Sequence, residues 1–494
     1  MTFIQKKRII LLIQSVIHTK NHGGVISLEE KDLKEIEKRL GYKNVDAWTK
    51  ISDEEKEKVY QFGEDYKDFM TKCKTERETA EKIIEIAEKN GFINIEKVTN
   101  LKPGSKVYYN NKGKSVVLAV IGKESMQKGI KAVASHIDSP RIDLKPNPMY
   151  EDGGLALFKT HYYGGVKKYQ WVTIPLALHG VIVKANGEKI NIVVGEDEND
   201  PVLYITDLLP HLGKDQMEKK AAEVVTGEAL NAVIGSIPLS EEVSVKPNIL
   251  KYLNEKYGIV EEDFLSAELE LVPAYKPRDI GFDRSMIGAY GQDDRVCAYT
   301  SLRAILELEV PERTAVAIFT DKEEIGSMGN TGLQSRFFEN AIAEILEKYE
   351  GSTDIKLRRV LANSELLSAD VNAAFDPTYP EVSEKQNTAY LGKGVCITKY
   401  TGSRGKAGSN DANAEFVGKV RKLFNENGVV WQTGELGKVD MGGGGTVAQY
   451  VANYGMEVLD CGVALLSMHA PYELSSKVDV YMAYKAYKVF MEKD

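Results

Sequence analysis

Unbroken apolar runs mark the predicted core strands of this chain. The clearest are KSVVLAVIG (114–122), IKAVASHID (130–138) and TAVAIFT (314–320). None alternates between apolar and polar residues, which is typical of strands covered on both faces. Further strands are predicted near 371–376 and over 456–463, with helices over 294–307, 331–349, 446–453 and 476–492. This alternation predicts an α/β fold with a mainly parallel central sheet flanked by helices.

A different pattern occupies the middle of the chain. The segments LALFKTHYY, WVTIPLALHGVIV, KINIVVG and PVLYITDLL are short apolar runs separated by turn residues, and long helices are scarce. We therefore predict an inserted, mainly β domain over residues 151–277. Residues 1–150 and 278–494 then form the main domain. Its first 55 residues are a helical, charged extension to which we assign no chemistry.

Composition and charge limit the cellular compartments and the binding partners expected for this chain. The chain has 494 residues and a net charge of −9, with no basic run, which argues against nucleic acid or an anionic membrane as a partner. Cys73, Cys297, Cys396 and Cys461 lie far apart, as expected of reduced thiols in a cytosolic protein. The apolar run from Ile9 to Ile13 is too short for a secretion signal, and no stretch reaches the ~20 apolar residues of a membrane span.

Potential metal ligands follow the predicted strands or precede a predicted helix. In α/β sheets, ligands bind beyond the carboxyl ends of the strands, so these residues are candidates for one common site. They are His136 with Asp138, Asp293 with Asp294, Glu323 with Glu324, Asp370, and His469 after MEVLDCGVALLSM.

This set of side chains has a coherent chemistry. Two imidazoles and three carboxylates suit two Zn²⁺ ions, or Mn²⁺ or Co²⁺, if one carboxylate lies between two ions about 3.5–4 Å apart. Asp138 is placed to orient His136. Adjacent side chains leave an extended backbone on opposite sides, so Glu323 and Glu324 must differ in role. Glu323 remains as a general base.

Other catalytic signatures are absent from the sequence. It contains no HExxH, no GxSxG and no GxxxxGK[ST] motif. The four glycines at 442–445 either bind an anion or form a tight turn, and the sequence does not decide between the two.

Five motifs in a fixed order resemble a known family. ASHIDSPRIDLKP, GQDDRV, TDKEEIGSMG, SADVNAAFDPTYPE and SMHAPYEL are similar to motifs of the M18 aminopeptidases, the aspartyl aminopeptidase family. The resemblance covers residues 57–494. It implies a phosphorylase/hydrolase-like metallopeptidase fold and a metal-dependent removal of N-terminal residues from peptides, with acidic residues preferred.

The resemblance also implies roles for single residues. His136 and Asp370 would hold one metal ion, Glu324 and His469 the other, and Asp293 would bridge the two. The Asp293–Asp294 peptide would be cis. Glu323 would be the general base and Asp138 the orienting acid. The β insertion would be a dimerisation domain, in a family that builds tetrahedral dodecamers.

The sequence departs from the family pattern at several positions. Ala373 stands where members with acidic specificity carry a histidine, and Asp294 replaces an asparagine found in many members. We name Lys399 as the candidate cation for an acidic substrate side chain. Two other interpretations remain. One is an M42-like peptidase or another dimetal amidohydrolase. The other is a non-catalytic shell protein, which would lack a ligand or the base, and none is missing.

Overall fold

A computed structural model describes residues 30–493 of the chain. Its contacts divide the chain into two units, Met1–Asn44 and Val45–Asp494. In the first unit, part of the predicted helical extension is present as α1 (Glu30–Leu40), and the Gly41 amide donates to the Glu37 carbonyl at 2.8 Å. The apolar run from Ile9 to Ile13 lies outside the described residues.

The α-helices of the second unit flank its sheets or connect their strands. Thr75 and Glu78 form a capping box at the start of α3. In chain order the helices are α2 (Asp53–Lys72), α3 (Glu76–Lys89), α4 (Lys214–Met217), α5 (Ala221–Val224), α6 (Val245–Tyr257), α7 (Gln292–Leu306), α8 (Phe337–Glu350), α9 (Asp354–Ala362), α10 (Ala414–Glu426), α11 (Ala448–Ala452) and α12 (Lys477–Glu492).

The strands of the second unit form three sheets, of nine, seven and five strands. In chain order they are β1 (Ile93–Asn94), β2 (Lys106–Asn111), β3 (Ser115–Val120), β4 (Lys131–His136), β5 (Arg141–Asp152), β6 (Leu155–Tyr163), β7 (Pro175–Val183), β8 (Lys189–Val194), β9 (Leu203–Ile205), β10 (Ala232–Gly235), β11 (Ala267–Pro273), β12 (Arg278–Ile280), β13 (Met286–Ala289), β14 (Ala315–Thr320), β15 (Glu365–Ser368), β16 (Asn372–Ala373), β17 (Val395–Thr398), β18 (Trp431–Thr433), β19 (Glu457–Gly462), β20 (Ala464–Leu466) and β21 (Glu473–Ser476).

The nine-stranded sheet has the order β1-β2-β3-β14-β4-β15-β19-β17-β18. Its four inner strands β14, β4, β15 and β19 are parallel neighbours, whereas β2–β3, β3–β14 and β17–β19 are antiparallel pairs. Every residue of β3, β4 and β14 is buried, as the unbroken apolar runs predict. Alternate residues of β3 enter two separate apolar cores, so helices cover both faces of this sheet.

Residues 141–273 contain the seven-stranded sheet, in the order β11-β5-β6-β10-β9-β7-β8. It is largely antiparallel and packs around its own apolar core, which includes the fully buried Trp171. This agrees with the predicted mainly β character of the middle region, although helix α6 was not predicted. The boundaries of a separate domain stay a prediction. The five-stranded sheet, β12-β13-β21-β20-β16, belongs to the flanking parts of the chain.

Two predicted elements differ from the observed ones. The helix predicted to begin at residue 331 begins only at Phe337. Ser115 Oγ donates a hydrogen bond to the Thr331 carbonyl at 2.6 Å, and this bond holds the turns before the helix against β3. Of the strand predicted near 371–376, only the two residues of β16 are present. The strand that belongs to the nine-stranded sheet in this part of the chain is β15, which ends before Asp370. Strands β17 and β18 and helices α9 and α10 were not predicted. No helix in residues 30–493 is long and apolar enough to cross a bilayer.

Candidate metal centre

The parallel strands bring the predicted ligands to one edge of the nine-stranded sheet. His136 is the last residue of β4, and Asp370 follows β15. Glu323 and Glu324 follow β14, while Asp293 lies at the start of α7. Since β14, β4 and β15 are parallel neighbours, their carboxyl ends meet at one place.

The Asp293 carboxylate lies between the two predicted histidines. Asp293 Oδ1 is 3.1 Å from His136 Nε2, and Asp293 Oδ2 is 3.1 Å from His469 Nε2. The peptide between Asp293 and Asp294 is cis, as the resemblance implies. One carboxylate therefore faces both imidazoles, each through a different oxygen.

The remaining carboxylates surround this Asp293 bridge. Glu324 Oε1 lies 3.4 Å from His469 Nε2, and Asp370 Oδ1 lies 3.9 Å from His136 Nε2. Two groups have ligand atoms within 4.8 Å of one another: His136 with Asp293 and Glu324, and His136 with Asp294 and Asp370. Asp294 was a candidate in the sequence but not one of the five ligands that the resemblance implies, and the structure places its carboxylate in the cluster.

The cluster fits divalent metal ions. Glu324 Oε1 and Asp294 Oδ1 are buried and have no hydrogen-bond partner among the described residues. Burial, reinforced by the nearby charge of Asp293, holds the pKa of Glu324 well above its usual range. Burial and the charge of Glu323 likewise hold the pKa of Asp370 well above its usual range. Buried carboxylates in such number are unfavourable unless cations compensate them, and imidazole and carboxylate donors are those that Zn²⁺ and Mn²⁺ accept.

Glu323 and Glu324 diverge, but not for the predicted reason. The strand ends at Thr320, Lys322 has a left-handed backbone with φ 67°, and Glu323–Ile325 is a turn of 3₁₀ helix. Alternation along an extended strand therefore does not apply. The Glu323 side chain is nevertheless 16% exposed and that of Glu324 only 4%, so Glu323 faces the opening of the site. Burial raises the pKa of Glu323 to about 7, against the opposing charge of His136.

Asp138 has the predicted orienting position and a further task. His136 Nδ1 is 3.0 Å from the Asp138 carbonyl oxygen and 3.4 Å from its Oδ1. The two carboxylate oxygens of Asp138 also accept hydrogen bonds from the Glu323 amide at 3.1 Å and the Glu324 amide at 3.2 Å. Asp138 thus holds the histidine through its carbonyl oxygen, and its buried carboxylate fixes the turn that carries the two glutamates.

Glu473 is a residue that the sequence analysis missed. Its Oε1 accepts from the His469 amide at 2.7 Å, and its Oε2 accepts from the Asp293 amide at 3.1 Å. It is buried and holds together the backbone of two predicted ligands. Glu473 lies inside the motif SMHAPYEL, and its position four residues after His469 was the only available signal.

Among the described residues, the contacts of Lys399 lie outside this cluster. Its ammonium group forms an ion pair with Asp411, and both side chains are nearly half exposed. The role of Lys399 in recognising an acidic substrate stays a prediction.

The glycine-rich loop at 442–445 packs closely. A Cβ on Gly442 would lie 1.9 Å from the Leu436 carbonyl oxygen, so no larger residue fits there. The loop precedes only the short helix α11. These contacts favour the tight turn over the anion site.

Comparisons with known proteins agree with the geometry. The family profile described as "Aminopeptidase I zinc metalloprotease (M18)" matches residues 69–491. A "Probable M18 family aminopeptidase 1" from Clostridium acetobutylicum is 56% identical over 457 residues, which cover 91% of this chain and 98% of that protein. The profile and this relative identify M18 rather than the M42-like alternative.

Solved structures show the same fold. The crystal structure of the M18 aminopeptidase from Thermotoga maritima has a TM-score of 0.88 and 49% identity, covering 92% of this chain and all of that one. The mApe1 dodecamer of Saccharomyces cerevisiae has a TM-score of 0.70 at 21% identity, covering 86% of this chain and 95% of that one, and shares the fold. The buried histidine–carboxylate cluster, the family profile and these relatives lead to one conclusion: the chain belongs to the M18 family of zinc metallo-aminopeptidases.

Proposed function

We propose that the chain removes N-terminal residues from peptides at a centre for two divalent metal ions. His136 and Asp370 would hold one ion, Glu324 and His469 the other, and Asp293 both. The observation that carries this proposal is the Asp293 carboxylate, each of whose oxygens lies 3.1 Å from a different imidazole. Zn²⁺ is favoured by the donor set, and Mn²⁺ or Co²⁺ would fit the same ligands. The bound ions would act as Lewis acids toward the scissile carbonyl group.

Glu323 is the proton carrier in the proposed reaction. It takes a proton from the attacking water, whose oxygen bonds to the carbonyl carbon, and delivers that proton to the amine nitrogen as the C–N bond breaks. A base works best when its pKa lies near the working pH, and burial raises the pKa of Glu323 above that of an ordinary carboxylate. Its partial exposure beside the cluster gives a substrate access to its carboxylate.

Comparing a substrate that has a free α-amine with one whose amine is blocked tests the proposed function. Leucyl p-nitroanilide should be hydrolysed, whereas N-acetyl-leucyl p-nitroanilide, which differs only by the blocked amine, should not. Equal hydrolysis of the two compounds would favour a dimetal amidohydrolase instead.

We propose further that Lys399 supports a preference for N-terminal Asp or Glu. A carboxylate that enters a pocket without a cation is strongly disfavoured. Lys399 would exchange its ion pair with Asp411 for the substrate carboxylate. We expect Lys399→Met to lower the ratio of Asp-peptide to Leu-peptide hydrolysis by about tenfold, equivalent to ~1.4 kcal/mol. Wild-type protein that cleaves Asp- and Glu-peptides no faster than Leu- and Ala-peptides would remove both the preference and this role.

We also propose a dimer through residues 151–277 and a larger closed homo-oligomer. Large apolar side chains exposed by half or more lie in this region: Leu208, Leu209, Leu212, Met217, Ile237, Val260 and Leu265. Exposed apolar groups in such number mark interaction surfaces. A relative of the same fold is a dodecamer. Light scattering at micromolar concentration should give a multiple of 54.9 kDa, and a mass equal to one chain would contradict the proposal.

The proposed compartment is the cytosol. All four cysteines are free and buried thiols. This is the state expected of a chain that never meets an oxidising compartment.

A further inference from the structure

The strand β6 of the seven-stranded sheet ends beside the metal centre. Its last residue, Tyr163, donates a hydrogen bond from its hydroxyl group to Asp138 Oδ2 at 2.8 Å. Two residues later, the Gly165 carbonyl oxygen lies 2.8 Å from His469 Nδ1. The segment Tyr163–Gly165, called here the Tyr-Gly-Gly turn, therefore contacts both sides of the cluster.

The hydroxyl of Tyr163 completes the hydrogen bonding of Asp138. The same carboxylate accepts from the amides of Glu323 and Glu324 and lies against His136. Asp138 is fully buried, so each of these partners favours its charged form and fixes its orientation. Without the hydroxyl, one oxygen of Asp138 would lose its only side-chain donor among the described contacts.

The ring of Tyr163 is itself held in place. The Arg141 guanidinium lies 3.9 Å from the ring centroid, a cation–π contact. Arg141 is anchored in turn by Asp143 at 2.7 Å and by Glu270 at 3.3 Å. These residues belong to β5 and β11 of the same sheet as Tyr163, so the sheet as a whole sets the position of the hydroxyl group.

The two glycines let the turn approach the ligands. Gly164 has φ 72°, and a Cβ there would lie 3.3 Å from both Cβ and Oε2 of Glu324. A Cβ on Gly165 would lie 3.2 Å from His469 Nδ1. A side chain at either position would press on a ligand of the proposed centre.

We propose that the Tyr-Gly-Gly turn is a positioning element of the metal centre. Tyr163 fixes Asp138, and through it His136 and the glutamate turn, while the Gly165 carbonyl orients the ring of His469. Metal-binding histidines usually donate their second N–H to such an oxygen, and that bond fixes tautomer and ring orientation. The β region would then be a working part of the catalytic centre as well as a surface for assembly. This inference rests on the proposed function.

Tyr163→Phe tests the inference by removing one oxygen atom. Loss of a partner of this kind typically costs 10–100-fold in metal affinity or activity. We expect the variant to release metal to a chromogenic chelator at about a tenfold lower chelator concentration, with kcat about tenfold lower and KM within about twofold. Tyr162→Phe is the matched control, because it removes the same atom from the exposed neighbour on the same strand, and all values should stay at wild-type levels.

Gly165→Ala provides a second test at the other histidine. The backbone of Gly165 does not have a positive φ, so alanine is strained only by its contact with His469. We expect weaker metal binding and an unchanged melting temperature of the metal-free protein. If wild-type protein binds two ions and Tyr163→Phe and Gly165→Ala match it in chelator competition and kcat, this inference is wrong and the proposed function stands. Wild-type protein that binds no metal would overturn the proposed function itself.

Discussion

Glu323→Gln is expected to lower kcat by at least about 10²-fold while both metal ions stay bound. General acid–base catalysis contributes about 10²–10⁴-fold, or roughly 3–5 kcal/mol of the barrier. Glutamine keeps the size and hydrogen bonding of Glu323 but cannot take the proton. The Glu323 side chain lies 3.9 Å from His136 Nε2 and is more exposed than that of Glu324, so its loss should spare the metal sites. Steady-state kinetics with metal analysis of the same sample gives both values.

Glu324→Gln is the matched control for this prediction. Glu324 lies 3.4 Å from His469 Nε2 with an unpartnered buried oxygen, so its substitution should weaken one metal site. Excess metal should then restore part of the activity. If Glu323→Gln loses metal while Glu324→Gln keeps both ions without turnover, the two roles are assigned the wrong way round.

Asp293→Asn should have an even larger effect, because Asp293 is the one carboxylate in residues 30–493 that contacts both histidines. Asparagine offers one neutral oxygen in place of two charged ones, so one site loses its ligand and the other keeps only a weaker, neutral one. We expect metal content to fall below one ion per chain. Loss of Lewis-acid stabilisation worth ~4 kcal/mol corresponds to a decrease in activity of about 10³-fold.

Asp376→Asn is the control for this substitution. It lies six residues after Asp370, and within the described part of the chain its side chain accepts only from the Thr378 amide at 2.8 Å. Metal content and activity should both stay at wild-type levels. Asp293→Asn protein that still binds two ions would show that the bridging assignment is wrong.

The sequence could predict the parts of the site that lie on strands. The fully apolar runs of β3, β4 and β14 identify buried strands, and parallel strands collect whatever follows their carboxyl ends. His136 and Glu323 could therefore be placed together before any contact was known, whereas β15, the strand that precedes Asp370, was not predicted. The directions of the Glu323 and Glu324 side chains could not be predicted. The left-handed backbone of Lys322 converts the expected extended segment into a turn of 3₁₀ helix.

The supporting contacts left no comparable trace in the sequence. The Gly165 carbonyl that faces His469 belongs to the backbone, and 304 residues separate the two. Tyr163 lies on β6. The apolar pattern of that strand predicts its place in a sheet but does not predict the hydrogen bond between Tyr163 and Asp138. Such contacts depend on how separate sheets dock, which local periodicity does not encode.

An anomalous diffraction map at the zinc edge tests the central claim most directly, since it reports position, number and identity of the metal ions together. The account predicts two peaks about 3.5–4 Å apart, one touching His136 and Asp370 and the other touching Glu324 and His469. Asp293 should lie between them, with each ligand atom about 2.0–2.2 Å from a peak. A single peak, or peaks away from these five residues, would contradict the two-metal centre.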